Sequence, residues 1–302
     1  MRRPYGEVAL VAHIFQNLIR PKSAAGFDTL RVRSRLLGVS LIATTILAAT
    51  AALGGNSFPP PANNSPTPVF VELFTSEGCS SCPPADALLE QMDTSQPVPG
   101  ADLIVLSEHV DYWDHDGWKD PFSSPSMTGR QSAYVRALGL KTPYTPQILI
   151  DGSTELRASD EAQVREVLQK ATIAPKVPIR IVSVTREAGA PSIVRGRVEA
   201  DVNFEKHNAE IYLVVALDHA ESQVARGENQ GRHLTHVAVA TEITKIGKLE
   251  KGKGFAQDFQ LKLKIPQADS TNIRLVAFAQ ESGPGKVLGA ASKKVAFDTG
   301  SH

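Results

Sequence analysis

Two cysteines in 302 residues are too few for a disulfide-stapled miniprotein. No sign of charge prevails either. The chain has 32 Lys+Arg against 32 Asp+Glu and no basic block, which argues against nucleic acid as the partner. It lacks a succession of long apolar segments, so it is not a polytopic membrane protein. With 22 Gly and 20 Pro it is too poor in both for a collagen-like or disordered chain. G-x-S-x-G and G-x-x-x-x-G-K-[ST] are both missing, which removes a serine nucleophile elbow and a phosphate-cradling loop. What is present is 42 % apolar and 21 % charged, the composition of a globular chain with length for one large or two medium domains.

The first 52 residues read as an address. Arg31, Arg33 and Arg35 precede LLGVSLIATTILAATAAL at 36–53, which carries no charge, and Ala49-Thr50-Ala51 fits a small-x-small cleavage site. A basic flank, an apolar stretch and a small-residue exit make a secretory signal. Left uncleaved, the same stretch would be an N-terminal membrane anchor. The expected location is therefore periplasmic or secreted. Residues 1–52 hold seven Lys/Arg and two Asp/Glu, so the remainder is mildly acidic at 25 against 30. Residues 53–68, with five Pro and three Asn, read as a linker.

From 69 to 172 strand and helix patterns alternate. Val69–Phe74 is an apolar run with β-branched and aromatic residues. Pro83 and Pro84 open the helical PPADALLEQM. Leu103–Leu106 with Val110 is a second strand, and MTGRQSAYVRAL at 127–138 is helical up to Gly139. Gln147–Ile150 and Thr154–Arg157 flank the turn signal Asp151-Gly152, and Ser159 or Asp160 caps a last helix. The order is β-α-β-α-β-β-α. After Pro175 only strands and turns follow, about seven of them, which suggests an antiparallel sandwich. A domain boundary is expected at 173–177, between units at 69–174 and 175–302.

Cys79-Ser80-Ser81-Cys82 lies between a buried strand and a helix start. Unpaired N–H groups and the partial positive charge of a helix N-terminus stabilise a thiolate there. That arrangement predicts Cys79 as the exposed attacking nucleophile and Cys82 as the resolving thiol of thiol–disulfide exchange. Other roles for the pair are a structural disulfide, half of a zinc site, and Cu(I) binding with His109 or His115. No cofactor or resident metal is required by the first reading.

VFVELFTSEGCSSCPPADALL followed by TPQILIDG resembles a thioredoxin-like domain. The resemblance implies a minimal thioredoxin fold over 69–172, followed by an all-β, antiparallel, sandwich-like domain. It also implies a cis bond at Thr145-Pro146, with both residues beside the cysteines and facing an extended substrate. Glu72 stands seven residues before Cys79, near the buried acid of that family, and would take a proton from Cys82. The alternative is that it faces outward or pairs with a Lys or Arg. HVDYWDHDGWKDPFSSPSMTGRQSAY and RGENQGRHLTHVAVA resemble a narrower secreted bacterial family, domain-of-unknown-function family 1223, over about 67–297.

Both tryptophans, Trp113 and Trp118, sit in the loop 107–126 among Tyr112, Phe122 and four Asp. Such a loop either forms a recognition wall over Cys79 or ties a long connection to the core. Asp114-x-Asp116-Gly117 is part of a calcium-loop pattern, but Tyr112 and Ser123 occupy the first and last ligand positions. The polar, Gly-bearing loop Arg226–His233 recognises a ligand, faces the first domain, or is a hydrogen-bonded corner. The function expected is thiol–disulfide oxidoreduction on exported protein thiols or disulfides. The rival is a binding module, or a Cu(I)-handling protein, using the same cysteine pair.

Overall fold

The structure is a computed structural model that describes residues 65–295, apart from 188–189, 203–207 and 264–271. The signal segment, and the linker as far as residue 64, lie outside the described residues.

The chain forms β1 (Thr67–Thr75), α1 (Pro83–Ser95), β2 (Ala101–His109), α2 (Pro125–Ala137), β3 (Gln147–Ile150), β4 (Thr154–Arg157) and α3 (Glu161–Ala171). Then come β5 (Ile179–Glu187), β6 (Ala190–Ala200), β7 (Ala209–Gln223), β8 (His233–Leu249), β9 (Phe255–Lys262), β10 (Ile273–Glu281) and β11 (Val287–Lys294). The ends follow local chemistry. Pro83 and Pro84 occupy the first turn of α1, where no N–H partner is lost. The Ser124 and Asp160 side chains accept backbone N–H groups at the starts of α2 and α3.

The assembly corrects the expected fold class. The chain does not form a thioredoxin-like α/β domain followed by a separate sandwich. It is mostly β, with one eight-stranded mixed sheet in the order β11-β10-β7-β8-β2-β1-β3-β4 and a three-stranded sheet β5-β6-β9. The join is β2 on β8, parallel, with Ser107 opposite Val239. The physical reason lies in β7 and β10. IYLVVAL and, after Arg274, LVAFA are unbroken apolar runs, as strands covered on both faces must be, whereas sandwich strands alternate.

Alternation sorts the side chains into two faces. Val69, Val71 and Leu73 of β1 pack with Ala85, Leu89 and Met92 of α1 and with Val237 and Ala238 of β8. Phe70 packs on the other face with Met127 of α2, Val214 of β7 and Phe278 of β10. The three-stranded sheet covers Leu213, Val215, Leu275 and Ala277 with Val194, Val198 and Phe259. The cores therefore run across the position where the strand-and-turn pattern begins.

Candidate functional site

Strand β1 delivers the chain into a tight turn ahead of α1. The Cys79 N–H donates to Ser76 O at 3.1 Å, and the Cys82 N–H donates to Cys79 O at 3.2 Å. Cys82 is the N-cap residue of α1, and the Asp86 N–H returns to its carbonyl at 3.1 Å. Cys79 and Cys82 are joined in a disulfide. Only Ser80 and Ser81 stand exposed at the apex.

Cys79 is buried, at 1 %, against the expectation of an exposed nucleophile, and Cys82 is buried at 0 %. Two elements close the turn. From the β2–α2 loop, Trp113 packs so tightly on Gly78 that a Cβ there would lie 2.9 Å from the Trp113 Cβ. From the β7–β8 loop, the Asn229 Nδ2 donates to Glu77 O at 2.8 Å and to Cys79 O at 3.0 Å. Beside it the Glu228 Oε2 accepts the Ser80 N–H at 3.1 Å. Of the roles open for the Arg226–His233 loop, two are observed: it is a hydrogen-bonded corner, and it contacts the cysteine turn.

The Thr145–Pro146 bond is cis. The Trp113 Nε1–H donates to Thr145 Oγ1 at 2.8 Å, so the aromatic loop ties this connection to the cysteine turn. Ser81, Pro84, Tyr144, Thr145, Pro146 and Arg157 line a cavity of about 490 Å³. Trp118 donates from Nε1 to Glu77 Oε2 at 2.8 Å. Both tryptophans thus touch the segment that holds Cys79.

Beneath the turn lies a buried polar cluster that sequence reasoning missed. Glu77 accepts from Ser222 Oγ at 2.5 Å and pairs with His236 Nε2 at 3.1 Å. Its N–H donates to Asp120 Oδ2 at 2.9 Å, and the same oxygen pairs with His109 Nδ1 at 2.7 Å. His236 Nδ1 lies 3.7 Å from Asp86 Oδ1. Burial opposes charge on His236, but its bonds and attraction to Asp86 and Glu77 outweigh this and push its pKa up to about 10. Burial likewise opposes the Asp120 charge, yet His109 and the backbone N–H groups of Glu77 and Phe122 hold its carboxyl below the usual range. The only local signal was polar Glu77 between a buried strand and Cys79. Its partner His236 looks like any lone His in an apolar run.

Glu72 is fully buried, but on the side of β1 that faces α2 rather than α1. It pairs with Arg130 and accepts the Tyr134 hydroxyl at 2.8 Å. None of its bonds reaches the cysteine turn. On the cysteine side, Asp86 is the carboxylate that α1 buries. Arg130 also reaches Glu108 Oε1 at 3.4 Å. Burial pushes the Glu108 carboxyl well up, opposed by Arg130 and aided by Glu72. Among the described residues no group of three or more His, Cys, Asp or Glu is arranged to hold a metal ion.

Comparison with known proteins adds a family and a fold. No curated protein matches the chain. A crystal structure of a protein from Agrobacterium tumefaciens is 24 % identical, covers 79 % of this chain and 97 % of its own, and superposes with a TM-score of 0.60. A sporulation control protein from Bacillus subtilis, 9 % identical, covers 40 % of this chain and 48 % of its own at a TM-score of 0.25. A β-glucosidase from Listeria innocua, 13 % identical, covers 40 % and 16 % at 0.18. Scores that low carry no argument. The family described as "Protein of unknown function (DUF1223)" matches residues 70–280. The chain therefore belongs to the DUF1223 family.

Proposed function

We propose that the protein is an exported thiol–disulfide oxidoreductase that works on the thiols or disulfides of other exported proteins. The supporting observation is the Cys79–Cys82 bond at the N-terminus of α1, next to the cavity edged by Ser81, Thr145 and Pro146. Export is supported by the basic-apolar-small N-terminal pattern, and a formed disulfide suits an oxidising compartment.

In the oxidising direction, a partner thiolate attacks the Cys79 sulfur. The Cys79–Cys82 bond breaks, its electron pair leaves on Cys82, and Cys82 takes up a proton. A second partner thiolate then attacks the partner's own sulfur in the mixed disulfide and releases Cys79, which is protonated. The protein gains two electrons and two protons, and the partner dithiol becomes a disulfide. In the reducing direction the Cys79 thiolate attacks a partner disulfide and Cys82 resolves it. Either direction requires the covered turn to open toward its partner, because neither sulfur is exposed at rest.

The test is a trapping experiment in cells that export the protein. Cys82→Ala accumulates mixed disulfides with exported proteins, because the resolving thiol is gone, and Cys79→Ala accumulates none. Equal trapping by both variants rejects these roles. Stoichiometric Cu(I) on the purified reduced protein, with no exchange activity, favours the binding module instead.

A further inference from the structure

The β7–β8 loop does more than cover the cysteines. It is a well-built support: Gly231 N–H bonds Val224 O at 2.8 Å, Val224 N–H bonds Arg232 O at 3.0 Å, and Arg232 N–H bonds Asn229 O at 3.1 Å. Gly227, at φ +77°, sits where a Cβ would come within 3.1 Å of Trp118. This frame brings two neighbouring residues onto the cysteine turn, 148 or more residues away in sequence. Asn229 is buried and neutral, and it holds carbonyls. Glu228 is exposed and places a carboxylate on the residue that directly follows Cys79.

The Ser80 hydroxyl and then its backbone N–H hold the Glu228 carboxyl below its ordinary range, so it is charged at neutral pH. Each of the other carboxylates named against the turn has a histidine partner. Glu77 and Asp86, from below, share His236, and Asp120 is paired with His109. Among the described residues no cation pairs with Glu228. A disulfide carries no charge and does not feel this carboxylate, whereas a thiolate on Cys79, the residue before Ser80, is a like charge and is disfavoured.

We propose that Glu228 is a positioning residue that biases the Cys79–Cys82 pair toward its disulfide, by keeping a fixed negative charge on the Ser80 N–H, one residue from the sulfur that becomes negative when the reduced pair ionises. Through it the β7–β8 loop regulates the same site, and its meaning for catalysis rests on the exchange reading above.

The experiment uses the full chain equilibrated with dithiothreitol redox buffers, with thiols counted by mass after acid quench. At pH 9, where an ordinary thiol is ionised, and at low salt, Glu228→Gln raises the reduced-to-oxidised ratio about threefold, the size of an exposed charge interaction. Glu228→Lys moves it further in the same direction. The gain falls away in about 1 M salt, where the Debye length is ~3 Å. An unchanged ratio at pH 9 overturns the proposal. So does a gain of equal size in high salt, which would mean that the contact acts by shape. A wild-type pair that cannot be reduced in the folded chain overturns it too. If the charge effect appears while wild-type protein catalyses no exchange, the oxidoreductase reading fails and the role of Glu228 stands.

Discussion

At the scale of single residues, the sharpest consequence lies beneath the cysteines. Among the described residues His236 is the basic group that pairs with both Glu77 and Asp86, and all three are buried. Its pKa stands at about 10 in the folded chain against 6.5 for an ordinary histidine. A raised pKa means that the folded state holds the proton more tightly. The stabilisation is therefore complete below about 6.5 and is lost as pH rises through about 10. His236→Gln strands two buried carboxylates and costs about 3 kcal/mol at pH 6. The gap between variant and wild type narrows toward pH 10. Urea unfolding at pH 6, 8 and 10 measures it, and a gap constant across that range would make His236 a neutral packing group. The pairing itself was not legible, because Glu77 and His236 are 159 residues apart and nothing in one sequence joins them. Glu72 fails to declare its face for a different reason. Its neighbours Phe70, Val71, Leu73 and Phe74 are all apolar, so a strand buried on both sides has no alternation to read.

At the scale of elements, most of the first half could be read because its boundaries carry local chemistry. Pro83, Gly139, Asp151-Gly152 and Asp160 each mark an end by a fixed φ, a turn or a cap. The cysteine turn was legible from its flanking strand and helix start, and the cis Thr145–Pro146 connection through resemblance, and the structure brings them to one cavity wall through Ser81. The aromatic loop was seen as a loop, with its orientation left open, and it folds onto the turn. That orientation has an optical consequence. Trp113 lies against Gly78 and Trp118 bonds Glu77, so both indoles lie beside the cysteine turn. Reduction of the disulfide, a quencher of nearby indoles, changes tryptophan emission, and Cys79→Ser removes the response to reductant. Because the chain has two tryptophans, both in this loop, no distant fluorophore dilutes the signal. Identical emission before and after reduction would mean that neither ring senses the sulfurs.

At the scale of the whole molecule, the assembly depends on pairings that local patterns do not encode. Strands β2 and β8 meet at Ser107 and Val239, and no turn chemistry announces contact between segments so far apart. The strand-rich half was therefore read as a unit of its own, although the unbroken apolar runs of β7 and β10 already pointed to strands covered on both sides. The continuous sheet makes a demand on any shortened chain. Removing residues 175–302 would take Val237 and Ala238 out of the core shared by β1 and α1. It would uncover the β2 edge, and unpaired strand edges template aggregation. It would also strip Glu77 of Ser222 and His236, and Asp93 of Arg274. Losing one partner of a buried ion pair costs about 3–5 kcal/mol, a large share of the 5–15 kcal/mol that holds a typical domain together. A chain of residues 65–174 therefore shows no cooperative melting transition by near-ultraviolet circular dichroism and binds a hydrophobic dye, whereas residues 65–302 melt cooperatively. A cooperative transition in the short chain, with Trp113 and Trp118 still responding to reduction, would show that the cysteine site folds without the β8 edge.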